Sequence, residues 1–143
     1  MRLSNELLKA VLDASILIQT IVKERYTDVA LKLVSVLKAI YAPRLILYEM
    51  GNALVVLTFQ NLITKEDAIR KLNLVSSIPT LNLTEIALSK AMDIAVELRI
   101  TLYDAAYLAL SLEEEVPLIT ADEELYEKGK KVTRVIHASE VKL

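Results

Sequence analysis

Hydrophobic and polar residues alternate along this chain in blocks rather than singly. Short unbroken apolar runs of three to six residues are each followed by a longer stretch with helical spacing. Ala10, Val11 and Leu12 form the first run, closed by Asp13-Ala14-Ser15, and a helix carrying Ile16, Leu17, Ile18, Ile21 and Val22 follows, with Ser15 as its expected cap. From Asp28 to Tyr41 the apolar positions Val29, Leu33, Val36, Leu37 and Ile40 make one helical stripe, widened by Leu31 and Val34. A stripe of this width reads as core, with a partner or dimer face as the second reading. Pro43 is expected to end that helix, Arg44 to Leu47 to form a strand, and a helix to run from about Tyr48 to Asn61.

Thr64 and Asp67 are spaced as a capping box for a helix ending near Ser76. Ile78 to Leu83 then predicts a strand, and Thr84 opens a helix to Leu98 whose buried positions would be Ile86, Ala87, Met92, Ala95, Val96 and Leu98. Residues Thr101 to Leu125 organise the rest. Leu102, Ala105, Ala106, Ala109, Leu110 and Leu112 form a helical stripe, Pro117 stops it, Val116, Leu118 and Ile119 give a buried strand, and Thr120 begins another helix. Gly129 is placed as the residue that closes this helix, and Val132 to Ile136 as the last strand. Residues 1 to 8 are a polar lead-in of about one helical turn. Some five repeats of strand and helix predict an α/β domain with a parallel sheet covered on both faces. At 143 residues the chain, 1–143, reads as a single domain with a full core.

Composition narrows the chemistry. Seventeen basic and nineteen acidic residues leave a net charge of −2, so no general basic field attracts nucleic acid and a polyanion has to be bound locally or through a metal. With no cysteine and only His137, thiol nucleophiles, disulfides and Cys/His zinc sites are excluded, and the lone histidine reads as structural. Two glycines leave neither GxGxxG nor GxxxxGK. No apolar run approaches the roughly 20 residues that span a bilayer, and Glu6, Lys9 and Asp13 interrupt any signal-peptide core, so a soluble cytoplasmic protein is expected.

What remains is carboxylate chemistry. Asp13, Glu49, Asp104 and Asp122 all fall at strand ends or in the first turns of helices, which in a parallel sheet share one edge. Each has a structural alternative: Thr101 with Asp104 and Thr120 with Glu123 are spaced as capping boxes, and Glu49 and Asp122 suit a helix dipole. Brought together, four carboxylates repel one another unless cations neutralise them. An oxygen-only donor set selects a hard ion, Mg²⁺ or Mn²⁺. Such metals support in-line phosphodiester hydrolysis without a nucleophilic side chain.

Asp13-Ala14-Ser15, Glu49-x-x-Asn52, Asp104-Ala-Ala-Tyr107-Leu-Ala-Leu and Thr120-Ala-Asp122 resemble, in order and spacing, the four motifs of the PIN domain, and most nearly its small VapC-type toxin members. The resemblance covers about residues 10 to 137. It implies a three-layer α/β/α fold with a five-stranded parallel sheet of order 3-2-1-4-5, and a Mg²⁺- or Mn²⁺-dependent endoribonuclease acting on RNA. By the same resemblance Asp13, Glu49, Asp104 and Asp122 surround the metal, with Ser15, Asn52 and Thr120 supporting them by hydrogen bonds. It further implies a homodimer held inactive by a small antitoxin, for which the stripe of residues 29 to 40 is the expected contact. Arg44, Arg99, Lys130 and Lys131 are the cations available for phosphate, each with ordinary surface charge as the alternative. Two further readings stand beside the toxin: a PIN-like binding module without activity, and a PIN nuclease that processes RNA. Haloacid-dehalogenase chemistry is set aside because Ser15 occupies the place of its second acid, and a receiver domain because its acid pair and lysine are missing.

Overall fold

The computed structural model describes residues 8–143, so the expected lead-in lies, apart from Leu8, outside the described residues. Five strands, Lys9–Leu12 (β1), Ala39–Pro43 (β2), Leu81–Thr84 (β3), Leu118–Thr120 (β4) and Val135–His137 (β5), pair in parallel in the order β3-β2-β1-β4-β5. The sheet order implied by the motifs is therefore the one the chain adopts. Ala10, Val11 and Leu12 are wholly buried, as a central strand covered on both faces requires. The edge strand β3 turns Asn82 to solvent.

Seven helices connect the strands: Ala14–Leu17 (α1), Thr27–Val36 (α2), Leu45–Phe59 (α3), Lys65–Ser76 (α4), Leu88–Leu98 (α5), Leu102–Glu114 (α6) and Glu123–Gly129 (α7). α3 packs on α4 and α5 on α6, while α6 lies against β1, β2 and β4 and α7 against β4 and β5. The core is contiguous and α6 is its largest helical contributor, with Ala105 through Ser111 all buried. Among the described residues no helix is long and apolar enough to cross a membrane.

Several expected boundaries move, each for a physical reason. The helix read over Asp28 to Tyr41 stops at Val36, where Leu37 turns extended and the Lys38 N–H bonds the Leu8 carbonyl. β2 then takes Ala39–Pro43, and the strand expected over Arg44 to Leu47 is instead the start of α3. Leu37 and Ile40 are buried as the stripe demanded, but Ile40 is buried from a strand, and spacing alone cannot separate the end of a helix from the start of a covered strand. Pro43 ends β2, beyond the last residue paired with β1, where its missing N–H costs least. With Val29, Leu33, Leu37 and Ile40 in the core, the stripe expected to meet an antitoxin is mostly unavailable as a surface.

The helix expected from Ile16 to Val22 is α1 followed by a 3₁₀ turn over Ile18–Thr20. Thr84 ends β3 and α5 begins four residues later; its buried side is Ala91, Ile94 and Ala95, whereas Ala87, Met92 and Val96 face outward. Thr120 ends β4, and Asp122 itself caps α7 by accepting the Leu125 N–H at 2.8 Å. β5 covers Val135–His137, later than expected. Gly129 is the last residue of α7 and has no positive φ; a Cβ there would stand 2.8 Å from a Leu108 methyl, so the glycine serves close packing of α7 on α6. Left-handed helix ends are carried by Arg99 and Glu115 instead.

Candidate active site

β1 lies between β2 and β4, so the chain leaves it in one direction and returns on its other side, and the carboxyl ends of β1 and β4 flank the crevice where such sheets bind ligands. Asp13 follows β1 directly and is only 4% exposed. Both of its oxygens are held: the Ser15 hydroxyl donates to Oδ1 at 2.6 Å and the Thr120 hydroxyl to Oδ2 at 2.5 Å. Oδ1 also accepts the Ile16 N–H at 3.3 Å, which makes Asp13, and not Ser15, the cap of α1.

Each hydroxyl has one hydrogen, already given to Asp13, so the 3.3 Å approach of Ser15 to Thr120 is proximity and not a third bond. Their lone pairs accept from the loop after β4, Ser15 taking the Ala121 N–H at 2.8 Å and Thr120 the Asp122 N–H at 3.0 Å. The two hydroxyls thus fasten the backbone before Asp122 onto Asp13. Burial, helped by the Asp122 charge, raises the Asp13 carboxyl to about 7 against the opposing pull of these hydrogen bonds.

Asp104 sits in the first turn of α6, whose cap Thr101 accepts the Asp104 N–H at 3.1 Å. Its carboxyl is raised to about 6, mainly by burial and then by the charges of Asp122, Glu49 and Glu124. Glu49, in the second turn of α3, is also raised by burial, partly offset by a 2.5 Å hydrogen bond from the Tyr107 phenol. Asp13 therefore feels Asp122, and Asp104 feels both Asp122 and Glu49, which brings four acids from four segments into one electrostatic group. Among the described residues none of the four forms an ion pair with lysine or arginine.

The remaining candidates lie elsewhere. Asn52 is exposed and lines a groove of about 430 Å³ between α3 and α4, with Tyr48, Val55, Ile69 and Leu72. Arg44 pairs with Glu85 at 3.1 Å, and Lys130 rests over the Tyr126 ring beside Glu127. His137 is buried at the end of β5, where Nδ1 accepts the Ser139 N–H, Nε2 lies 3.1 Å from Glu123 Oε1, and Tyr26 and Tyr126 meet the ring edge-on. That is the structural role expected of it. Glu124 and Tyr107 were not singled out for the site from sequence. Tyr107 carried a usable clue, since a tyrosine on the buried face of an Ala/Leu helix needs a partner for its hydroxyl.

Among the described residues no three His, Cys, Asp or Glu side chains are grouped so as to hold a metal ion by themselves. The donor set nonetheless suits Mg²⁺ or Mn²⁺. Mg²⁺ retains several waters and takes one or two carboxylates together with substrate oxygens, and positive charge would ease Asp13 and Asp104, which are held above their usual pKa and, among the described residues, pair with no lysine or arginine.

The PIN domain family model matches residues 10–131. A search of curated proteins gave no significant match. Among solved structures, PAE2754 from Pyrobaculum aerophilum is similar at 27% identity and a TM-score of 0.70, covering 97% of this chain and 93% of its own. VapBC2 from Rickettsia felis, bound to a DNA fragment from its promoter, aligns at 19% identity and a TM-score of 0.59 over 90% of this chain and 98% of its own. A toxin-antitoxin complex from Klebsiella pneumoniae gives 19%, 0.59, 90% and 97%. The last two likenesses concern the fold. With the β3-β2-β1-β4-β5 sheet, the acids gathered at its switch point and a family match over most of its length, this chain belongs to the PIN domain family.

Proposed function

We propose that this chain, read as one domain over 1–143, is a Mg²⁺- or Mn²⁺-dependent endoribonuclease and the toxin of a VapBC-type pair. The observation that carries the reading is the convergence of Asp13, Glu49, Asp104 and Asp122 at the sheet's switch point, where among the described residues no lysine or arginine pairs with them. Membership in the PIN family and the named complexes among its structural neighbours support it. The four carboxylates would hold the cation, and Ser15 and Thr120 keep Asp13 in place. A bound divalent cation supplies a water of lowered pKa and withdraws charge from the phosphodiester. The protein's share is positional: Asp13 is locked by two hydroxyls, the Asp122 loop is tied to it, and a ring of negative charge keeps RNA from binding productively without metal.

The partner is a small antitoxin whose basic residue enters the acid edge and whose apolar helix covers exposed side chains of α3 and α4, such as Tyr48, Phe59 and Ile69. Association as a homodimer and a cytoplasmic setting complete the reading. Two observations favour an inactive binding module instead: both Asp13 oxygens are already engaged, and among the described residues no three acids close on one point.

Cleavage of single-stranded RNA in Mn²⁺, after removal of any bound partner, separates the two. The nuclease reading expects wild type to cut and Asp104→Asn to lose at least about 100-fold in rate, a loss on the scale of one removed electrostatic contact to the transition state. If both are inert, the module reading stands. A nuclease that processes RNA outside a toxin pair would cut equally but have no antitoxin that inhibits it.

A further inference from the structure

Tyr107 is 1% exposed, yet its hydroxyl reaches the acid edge. It donates its single proton to Glu49 Oε1 at 2.5 Å, and its oxygen lies near the backbone of Ala14, the residue after Asp13. It also lies three residues after Asp104 on α6, hence on nearly the same side of that helix. One phenol therefore joins the segments that carry Asp13, Glu49 and Asp104. Glu49 Oε2 makes no hydrogen bond among the described residues. The short bond consequently fixes one oxygen and leaves the other free of a hydrogen bond among the described residues.

We infer that Tyr107 is a positioning residue that clamps Glu49 Oε1 so that Oε2 is presented to a divalent cation. The inference rests on the nuclease reading above. A tyrosine that merely fills the core would contribute stability but would not tune metal binding. Partners that orient a ligand from behind typically alter metal affinity by about 10- to 100-fold.

The test is Mn²⁺ binding without RNA, read from the electron paramagnetic resonance of free Mn²⁺, in wild type, Tyr107→Phe, Glu49→Gln and the double variant, each checked for folding by thermal melting. Tyr107→Phe is expected to weaken Mn²⁺ binding about 10-fold or more, and to add nothing once Glu49 is Gln. RNA cleavage should fall in kcat with KM for RNA unchanged. A folded Tyr107→Phe with wild-type Mn²⁺ affinity, or with a loss that persists in the Glu49→Gln background, overturns the clamp while leaving the nuclease reading intact. A wild type that binds no Mn²⁺ removes both. Should Tyr107→Phe not fold, Glu49→Asp, which shortens the side chain away from the phenol, carries the same expectation, and unchanged affinity there overturns the clamp.

Discussion

The acid edge of the sheet and the outer surface of α3, α4 and α5 are built in opposite ways. At the acid edge Asp13 is buried and Glu49 and Asp104 are half-buried, and two of these carboxyls are held from behind: Asp13 accepts from two hydroxyls and a backbone N–H, and Glu49 from a buried phenol. On the outer surface large apolar groups stand in solvent, with Tyr48 80%, Phe59 78% and Val96 73% exposed. The difference lies in cost: ionising a buried carboxyl opposes folding directly, whereas a surface valine is nearly neutral to it. Placing carboxyls at the acid edge thus costs stability that the outer face does not cost. The outer face can vary without disturbing the fold.

Substituting Asp13→Asn probes this contrast most strongly, because its two effects run in opposite directions. RNA cleavage should fall by about 1,000-fold, about 4 kcal/mol at 1.36 kcal/mol per decade. The metal-free protein at pH 8 should nevertheless become more stable, by about 1–2 kcal/mol, since Asn avoids a buried charge while the hydroxyls of Ser15 and Thr120 can rotate to suit an amide. A cleavage-dead variant that is also less stable would mean that the edge is held for structure.

Adding Mg²⁺ comes next in size. At 100 times its dissociation constant it should stabilise by about 2.7 kcal/mol, seen as a higher melting temperature at pH 8 and a smaller rise at pH 5.5, where protons compete for the same carboxylates. Equal shifts at both pH values would place the binding elsewhere. The metal-free pH dependence has a definite sign. The folded Asp13 keeps its proton up to about pH 7, and Asp104 up to about pH 6, while the unfolded carboxyls lose theirs near 3.8. Between those values the folded state holds more protons, so stability falls as pH rises and levels off above about 7. Asp13→Asn should flatten much of that slope in thermal melts.

The smallest effect is expected on the outer face. Val96→Ser should change stability by less than about 0.5 kcal/mol in chemical denaturation, because its side chain has little burial to lose. A cost of 2 kcal/mol would show that the face is covered in the free protein.

Much of this fold was legible in the chain. The covered strand Ala10-Val11-Leu12, the Thr64 and Thr101 caps, the buried stripe of α6 and the carboxyls at strand ends all follow from spacing and residue type. The boundaries around Leu37 to Leu47 were not, because consecutive apolar residues satisfy a helix and a covered strand alike until Lys38 finds the Leu8 carbonyl. The packing role of Gly129 was equally hidden, since it depends on Leu108 twenty-one positions away.

The same division holds for the site. Sequence alone determined which groups could carry chemistry, four acids, no thiol and one histidine, and an alternation of apolar runs and helical stretches that favours a covered parallel sheet. Tertiary structure decided how those acids are held. The Ser15 and Thr120 hydroxyls meet at Asp13, and Tyr107 reaches Glu49 across 58 positions, only after β4 has inserted beside β1 and α6 has packed beneath them. Local pattern reports what each residue prefers; hydrogen bonds between distant segments, and the burial that shifts a carboxyl, exist only once the sheet has been assembled.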